Sequence, residues 1–160
     1  MNFNRWLDNL NDILVPHIYR GISKLYIDVR KLTERTNGTG KTLMSFQLAL
    51  EKIKDLPNVR LRNDYDFLLD SLNNLNNDEA WFTSLLTKVF VSYAKDALKS
   101  EGIDVKIEPS HLQILDNIDF IHRVYINAAR IFWLKPQLFY HKLDTLSIQS
   151  NNAEIHEKIK

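Results

Sequence analysis

Along most of this chain apolar residues return at alternating steps of three and four, the spacing that gathers side chains on one face of an α-helix. The pattern is densest at 117–140, NIDFIHRVYINAARIFWLKPQLFY, where Ile118, Ile121, Tyr125, Ala128 and Phe132 form a stripe. Val124, Ala129 and Ile131 widen that stripe, so the spacing predicts a central helix over about 117–134 that packs on more than one neighbour. Asp116 or Asn117 can cap its start, and Asp119 places negative charge in the first turn, where the helix dipole favours it. Pro136 should end it, because proline lacks the amide and disfavours helical geometry in the residue before it. The small pair Ala128-Ala129 admits another helix at close range. Trp133, Phe139 and Tyr140 form an aromatic cluster around the proline break, turning the end of the helix into a corner.

Taken in order, the rest of the chain reads as further helices. A first is expected over Asn4 to Val15, with Trp6, Leu7, Leu10 and Leu14 on one side. Pro16 suits the opening of a second, in which Ile18, Ile22, Leu25, Val29 and Leu32 repeat, ending before Asn37-Gly38-Thr39-Gly40. A third spans Lys41 to Leu56 on Leu43, Phe46, Leu50 and Ile53, with Pro57 as its stop. A fourth covers Asn63 to Leu75, with Tyr65, Leu68, Leu72 and Leu75 in register, and NNLNN at 73–77 is a polar break. Asn77 caps a fifth, whose buried face is Phe82, Leu85, Leu86, Val89, Tyr93 and Ala97, and Gly102 terminates it.

One segment alternates: Ile103, Val105 and Ile107 are separated by Asp104 and Lys106. A lone strand has nothing to pair with unless Val59-Arg60-Leu61 serves, so an extended loop is expected there, followed by a helical turn capped by Ser110. From Asp144 the core pattern fades, although Ile155 and Ile159 can share a face. The fold class expected is all-α, an irregular bundle of five to six helices in a single domain over 1–143. Residues 144–160 read as a mobile or partner-bound tail.

Composition narrows the function. The 160 residues are 44% hydrophobic and 26% charged, a globular balance large enough for one core without metal or disulfides. A net charge of +1 gives no general attraction to nucleic acid or anionic membrane. Cysteine is absent, which removes disulfides, thiolate metal sites and a cysteine nucleophile, and suits a reducing compartment such as cytoplasm. The acids and amides of MNFNRWLDNLND do not resemble a secretory signal. Charges at His122, Arg123 and Arg130 interrupt the central helix, so no membrane span is expected.

Four constellations suggest chemistry and fall short of it. Gly38-Thr39-Gly40-Lys41-Thr42 has the look of a phosphate loop, but Arg35 stands where the earlier glycine belongs and the preceding element is helical. Asp64-Tyr65-Asp66 is similar to paired-aspartate phosphotransfer loops, yet no buried strand precedes it, so these read as acids at a helix start beside Arg60 and Arg62. Asp119 and His122 stand one turn apart, two potential metal ligands, with His111, His141 and His156 elsewhere; an aspartate holding a surface histidine is the simpler reading. Arg30, Lys31 and Arg35 form one basic face and Arg60 with Arg62 another, with acids interleaved, so they read as solvated flanks.

Phe120, Val124, Tyr125, Ile126, Ala129, Arg130, Phe132, Trp133, Pro136, Leu138 and Phe139 occur in an order that resembles a helical segment of small uncharacterised proteins of nucleocytoplasmic large DNA viruses. That resemblance implies a virus-encoded structural or assembly protein, located in host cytoplasm or virion, and no catalytic residues. From the residues themselves the expectation is a non-enzymatic protein-interaction or structural protein, which the resemblance would make a minor virion or capsid component. Its contact surface would be Arg130, Trp133, Lys135, Phe139 and Tyr140, since aromatic and arginine anchors dominate such interfaces. The alternative is an adaptor that takes a host protein's amphipathic helix into a groove. No cofactor, metal or small-molecule substrate is expected, and the partners are proteins, either copies of this chain or other structural proteins.

Overall fold

The computed structural model of the protein describes residues 2–35, 41–102, 116–139 and 154. Among them are five α-helices and two 3-10 turns, with no strand, so the fold is an all-α helical bundle. The alternating segment from 103, the turn at Ser110, Tyr140 and the tail apart from Glu154 lie outside the described residues.

Helix α1 runs unbroken from Asn2 to Arg35 and carries Pro16 in its interior, where two separate helices were expected. Proline costs a helix interior about 3 kcal/mol, because it removes one amide bond and its ring crowds the carbonyl four residues earlier. Both Pro16 and Asp12, whose carbonyl loses that bond, are on the exposed side. The buried stripe passes through the site unbroken, with Leu10, Leu14, Ile18, Ile22, Tyr26 and Val29, so tertiary packing outweighs the local penalty. The stripe also drifts: it continues to Thr33, while Leu32, expected in the core, is exposed.

Helix α2, Thr42–Glu51, tightens into a 3-10 turn, Lys52–Asp55, and stops as expected before Pro57, with Leu56 extended. Buried Thr33 and Thr42 close the connection from α1: the Thr33 hydroxyl donates to the Arg30 carbonyl at 3.0 Å and so accepts from Thr42 at 3.0 Å. The glycine-rich run before α2, residues 36–40, lies outside the described residues. Helix α3, Asn58–Asn73, begins immediately after Pro57, earlier than the expected Asn63. Val59-Arg60-Leu61, weighed as a strand, is its first turn. At the other end Asn76 takes a left-handed φ of 61°, its amide bonds the Asn73 carbonyl, and the Asn77 amide bonds that of Leu72 at 2.9 Å. This closes the helix by pairing its last free carbonyls, and leaves Leu75 exposed beyond it rather than in register.

Helix α4, Glu79–Ser100, is capped by Asp78 and not Asn77: its carboxylate accepts from the Trp81 amide at 2.8 Å. Phe82, Leu85 and Leu86 are buried, but the expected face does not continue, since Tyr93 and Ala97 are exposed. Gly102 ends the run with a φ of 79°, a conformation glycine adopts without strain. Helix α5, Asn117–Leu134, matches its expected bounds, and Ile121, Tyr125, Ala128, Ala129 and Phe132 are its buried residues. It packs on α1, α2 with its 3-10 turn, and α3, while α1 packs on α2, α4 and α5. Phe46, Phe82 and Phe132, each fully buried, mark the core where these helices meet.

Candidate functional site

The corner after α5 forms as its sequence indicated. Lys135 leaves helical geometry, Pro136–Phe139 makes a 3-10 turn, and Leu138 is buried. The ring of Phe139 lies 5.0 Å from that of Phe132 and 5.4 Å from that of Phe46, with Tyr19 stacked at 6.5 Å. Phe139 is half-buried and packs against the core through these rings. Tyr140 lies outside the described residues.

The other expected contact residues remain at the surface. Trp133 is 40% exposed, its indole nitrogen donates to Glu51 Oε1 at 3.1 Å, and the Gln47 amide donates to the Trp133 carbonyl at 2.7 Å. The first bond holds the indole, and the second the main chain, across the seam between α2 and α5. Below it runs a groove of about 370 Å3, lined by Leu50, Glu51 and Lys54 on one side and Ile126, Ala129, Arg130 and Leu134 on the other. Ala129 gives the groove its depth, since a larger side chain there would fill it. Leu134 is 73% exposed, and Met44 and Leu48, on the same face of α2 as Glu51, are also exposed. Lys135 lies at the end of this seam and pairs with Glu154 at 3.1 Å.

A second constellation joins three helices and was not expected. Asp64 sits inside α3, not at its start, because the helix begins at Asn58. Its Oδ2 lies 2.8 Å from His17 Nε2 on α1, and its Oδ1 accepts from the Tyr125 hydroxyl of α5 at 2.9 Å. His17 is buried, with its ring 5.9 Å from Tyr125 and 6.4 Å from Phe67. Burial, then the charge of Asp64 and the bond to it, push the Tyr125 hydroxyl far above the ordinary tyrosine value. A Cβ on Gly21 would stand 2.8 Å from Tyr125 Cε1 and closer still to its hydroxyl oxygen, so only glycine lets α1 and α5 approach here. The signal in the sequence was a histidine inside the apolar stripe of α1 with a glycine one turn on; which carboxylate it would meet could not be read locally.

Other polar contacts tie elements together. Asn117 donates to Tyr65 at 3.0 Å and to Thr83 at 2.8 Å, fastening the first turn of α5 to α3 and α4. Burial raises the Tyr65 hydroxyl, with the Asn117 bond opposing. His122 bonds the Ile53 carbonyl at 2.8 Å, so it is held by the 3-10 turn and not, as expected, by Asp119. Arg30 pairs with Glu34 and Arg62 with Asp66 along their own helices. Among the described residues no three histidine or carboxylate side chains gather as metal ligands, and no helix is long and apolar enough to cross a membrane.

These features define an all-α bundle with a three-helix polar junction and an apolar seam at its surface. The chain belongs to a family of unknown function, DUF5764, whose model matches residues 1–140 and so takes in all five helices. No curated protein and no solved structure matches the chain.

Proposed function

We propose that this chain is a non-enzymatic protein-interaction module whose contact surface is the α2–α5 seam. The carrying observation is the exposed apolar set Met44, Leu48, Trp133 and Leu134 beside an open groove, with the indole held in place by Glu51. Large apolar side chains gathered on one face, rimmed by charge, mark protein-binding surfaces more often than chance exposure does. The groove favours an amphipathic helix of another protein as occupant. Lys54 and Arg130 at its rim favour acidic residues flanking the apolar stripe of that helix. A role as a structural or assembly component of a large virus particle rests on the resemblance of residues 117–140 alone.

The test is site-directed photo-crosslinking in cells that make the protein, with a photoreactive phenylalanine analogue at position 134 or 48 and a control at exposed Lys95. Covalent capture of one same protein from positions 134 and 48, abolished by Trp133→Ala and absent from 95, supports the reading. Equal capture from all three positions, or none, discards it.

A further inference from the structure

Between α1 and α3, with α5 and the 3-10 turn as its base, lies a cleft of about 970 Å3, separate from the α2–α5 seam. That is the upper end of the roughly 300–1,000 Å3 that small-molecule sites occupy. Its apolar surface comes from half-buried Leu25, Ala49, Leu56 and Ile118, with Ile53 and Ile121 buried in the lining. Its charged lining is uneven: Arg20, Lys24, Lys52 and Arg60 stand on three different walls, and among the described residues none of the four forms an ion pair. The carboxylates present are Asp28, Asp55 and Asp64, and both oxygens of Asp64 are already bonded to His17 and Tyr125.

Arg20 is the best placed of the four cations. Its guanidinium carbon lies 3.5 Å from the centre of the Phe67 ring, so the ring holds the flat group by one face. Guanidinium hydrogens point outward in the plane of the group, and stacking leaves them free. A fork of donors held still at the edge of an apolar cleft suits a planar carboxylate, which it can bond through both oxygens. The apolar lining suits a hydrocarbon body behind that head. We propose that the α1–α3–α5 cleft binds a small amphipathic monocarboxylate of the fatty-acid class, its head on Arg20 and its chain over Leu25, Ala49, Leu56 and Ile118.

An NMR titration of the full chain tests this, with octanoate and 1-octanol as probes. The expected result is saturable shifts at Gly21, Ile53 and Ile121 with octanoate, and binding of octanol at least about tenfold weaker, the difference one charge-assisted head contact makes. Exposed Arg20 tolerates substitution without loss of the fold, so Arg20→Gln should weaken octanoate about tenfold while leaving octanol unchanged, and Arg20→Lys should fall between. Shifts that fail to saturate, that centre on Trp133 and Leu134, that are equal for the two probes, or that ignore Arg20→Gln would overturn the assignment.

Discussion

Two joints hold α5 in this bundle, and they work by opposite means. At its end the corner is apolar: Phe132, Phe139, Phe46 and Tyr19 interlock ring against ring, and Phe132 is 0% exposed. In its middle the joint is polar: Asp64 accepts from Tyr125 and meets His17, with Gly21 leaving room for the phenol. Apolar burial tolerates small shifts, because it is non-directional and proportional to area. A shared carboxylate fixes position, because each bond has a narrow geometry and each partner loses water on burial. The corner therefore contributes more stability, and the polar joint sets how α1, α3 and α5 are registered against one another.

The largest effect should come from the apolar joint. Phe132→Ala leaves a void at the centre of the rings and should cost about 3–5 kcal/mol in chemical denaturation. If its loss were smaller than that of any polar-joint variant, the ranking of the two joints would be reversed. Asp64→Ala strands a buried histidine and a buried phenol, and about 2–3 kcal/mol is expected. Asp64→Asn, which keeps an acceptor for Tyr125, should lose less. Gly21→Ala tests the same joint sterically: the gain in helix propensity, about 1 kcal/mol, is outweighed by overpacking of about 1–3 kcal/mol. A net stabilisation would show that the close approach of α1 to Tyr125 is not maintained in solution.

Titration sharpens the contrast, since the junction holds a phenol whose proton affinity folding raises. The folded state raises the Tyr125 hydroxyl above its unfolded value near 10, so it binds its proton more tightly when folded. The stabilisation is fully present below about pH 10 and is lost as pH rises further toward the folded-state value. Tyr125→Phe should cost about 1 kcal/mol at neutral pH and flatten the alkaline limb of the stability curve; an unchanged limb would assign that slope to other groups. The smallest effect belongs to the surface seam. Leu134→Asp should change stability by no more than about 0.5 kcal/mol while abolishing partner crosslinking, which separates a contact residue from a packing one.

Much of the fold was legible in local pattern, and the misses share a cause. The bounds of α5 could be read because a sustained stripe and Pro136 agree over 117–136, although neither Asp116 nor Asn117 makes the expected capping bond. Pro16 misled because its rule is local: an exposed proline in a helix with a continuous buried face is retained by packing on α2, α4 and α5. Asn63 misled because a run of polar residues hid a start that Pro57 had already set. The candidate surface was half legible, since exposed Trp133 and packed Phe139 are equally aromatic and only their angles around the proline corner separate them. Of the polar junction only His17 and Gly21 left a trace in local pattern, as His17, Asp64 and Tyr125 lie on three helices with no spacing that relates them.

By itself, then, the sequence determined that this chain is helical, where most of its buried faces lie, and where Pro57, Gly102 and Pro136 interrupt them. These follow from backbone geometry and side-chain periodicity, which act over one or two turns. The tertiary structure alone decided that α1 passes through its proline, that one carboxylate ties three helices together, and that Trp133 faces outward while Phe139 turns in. Those outcomes depend on which faces meet across the bundle, and burial free energy settles that only when all the helices are assembled.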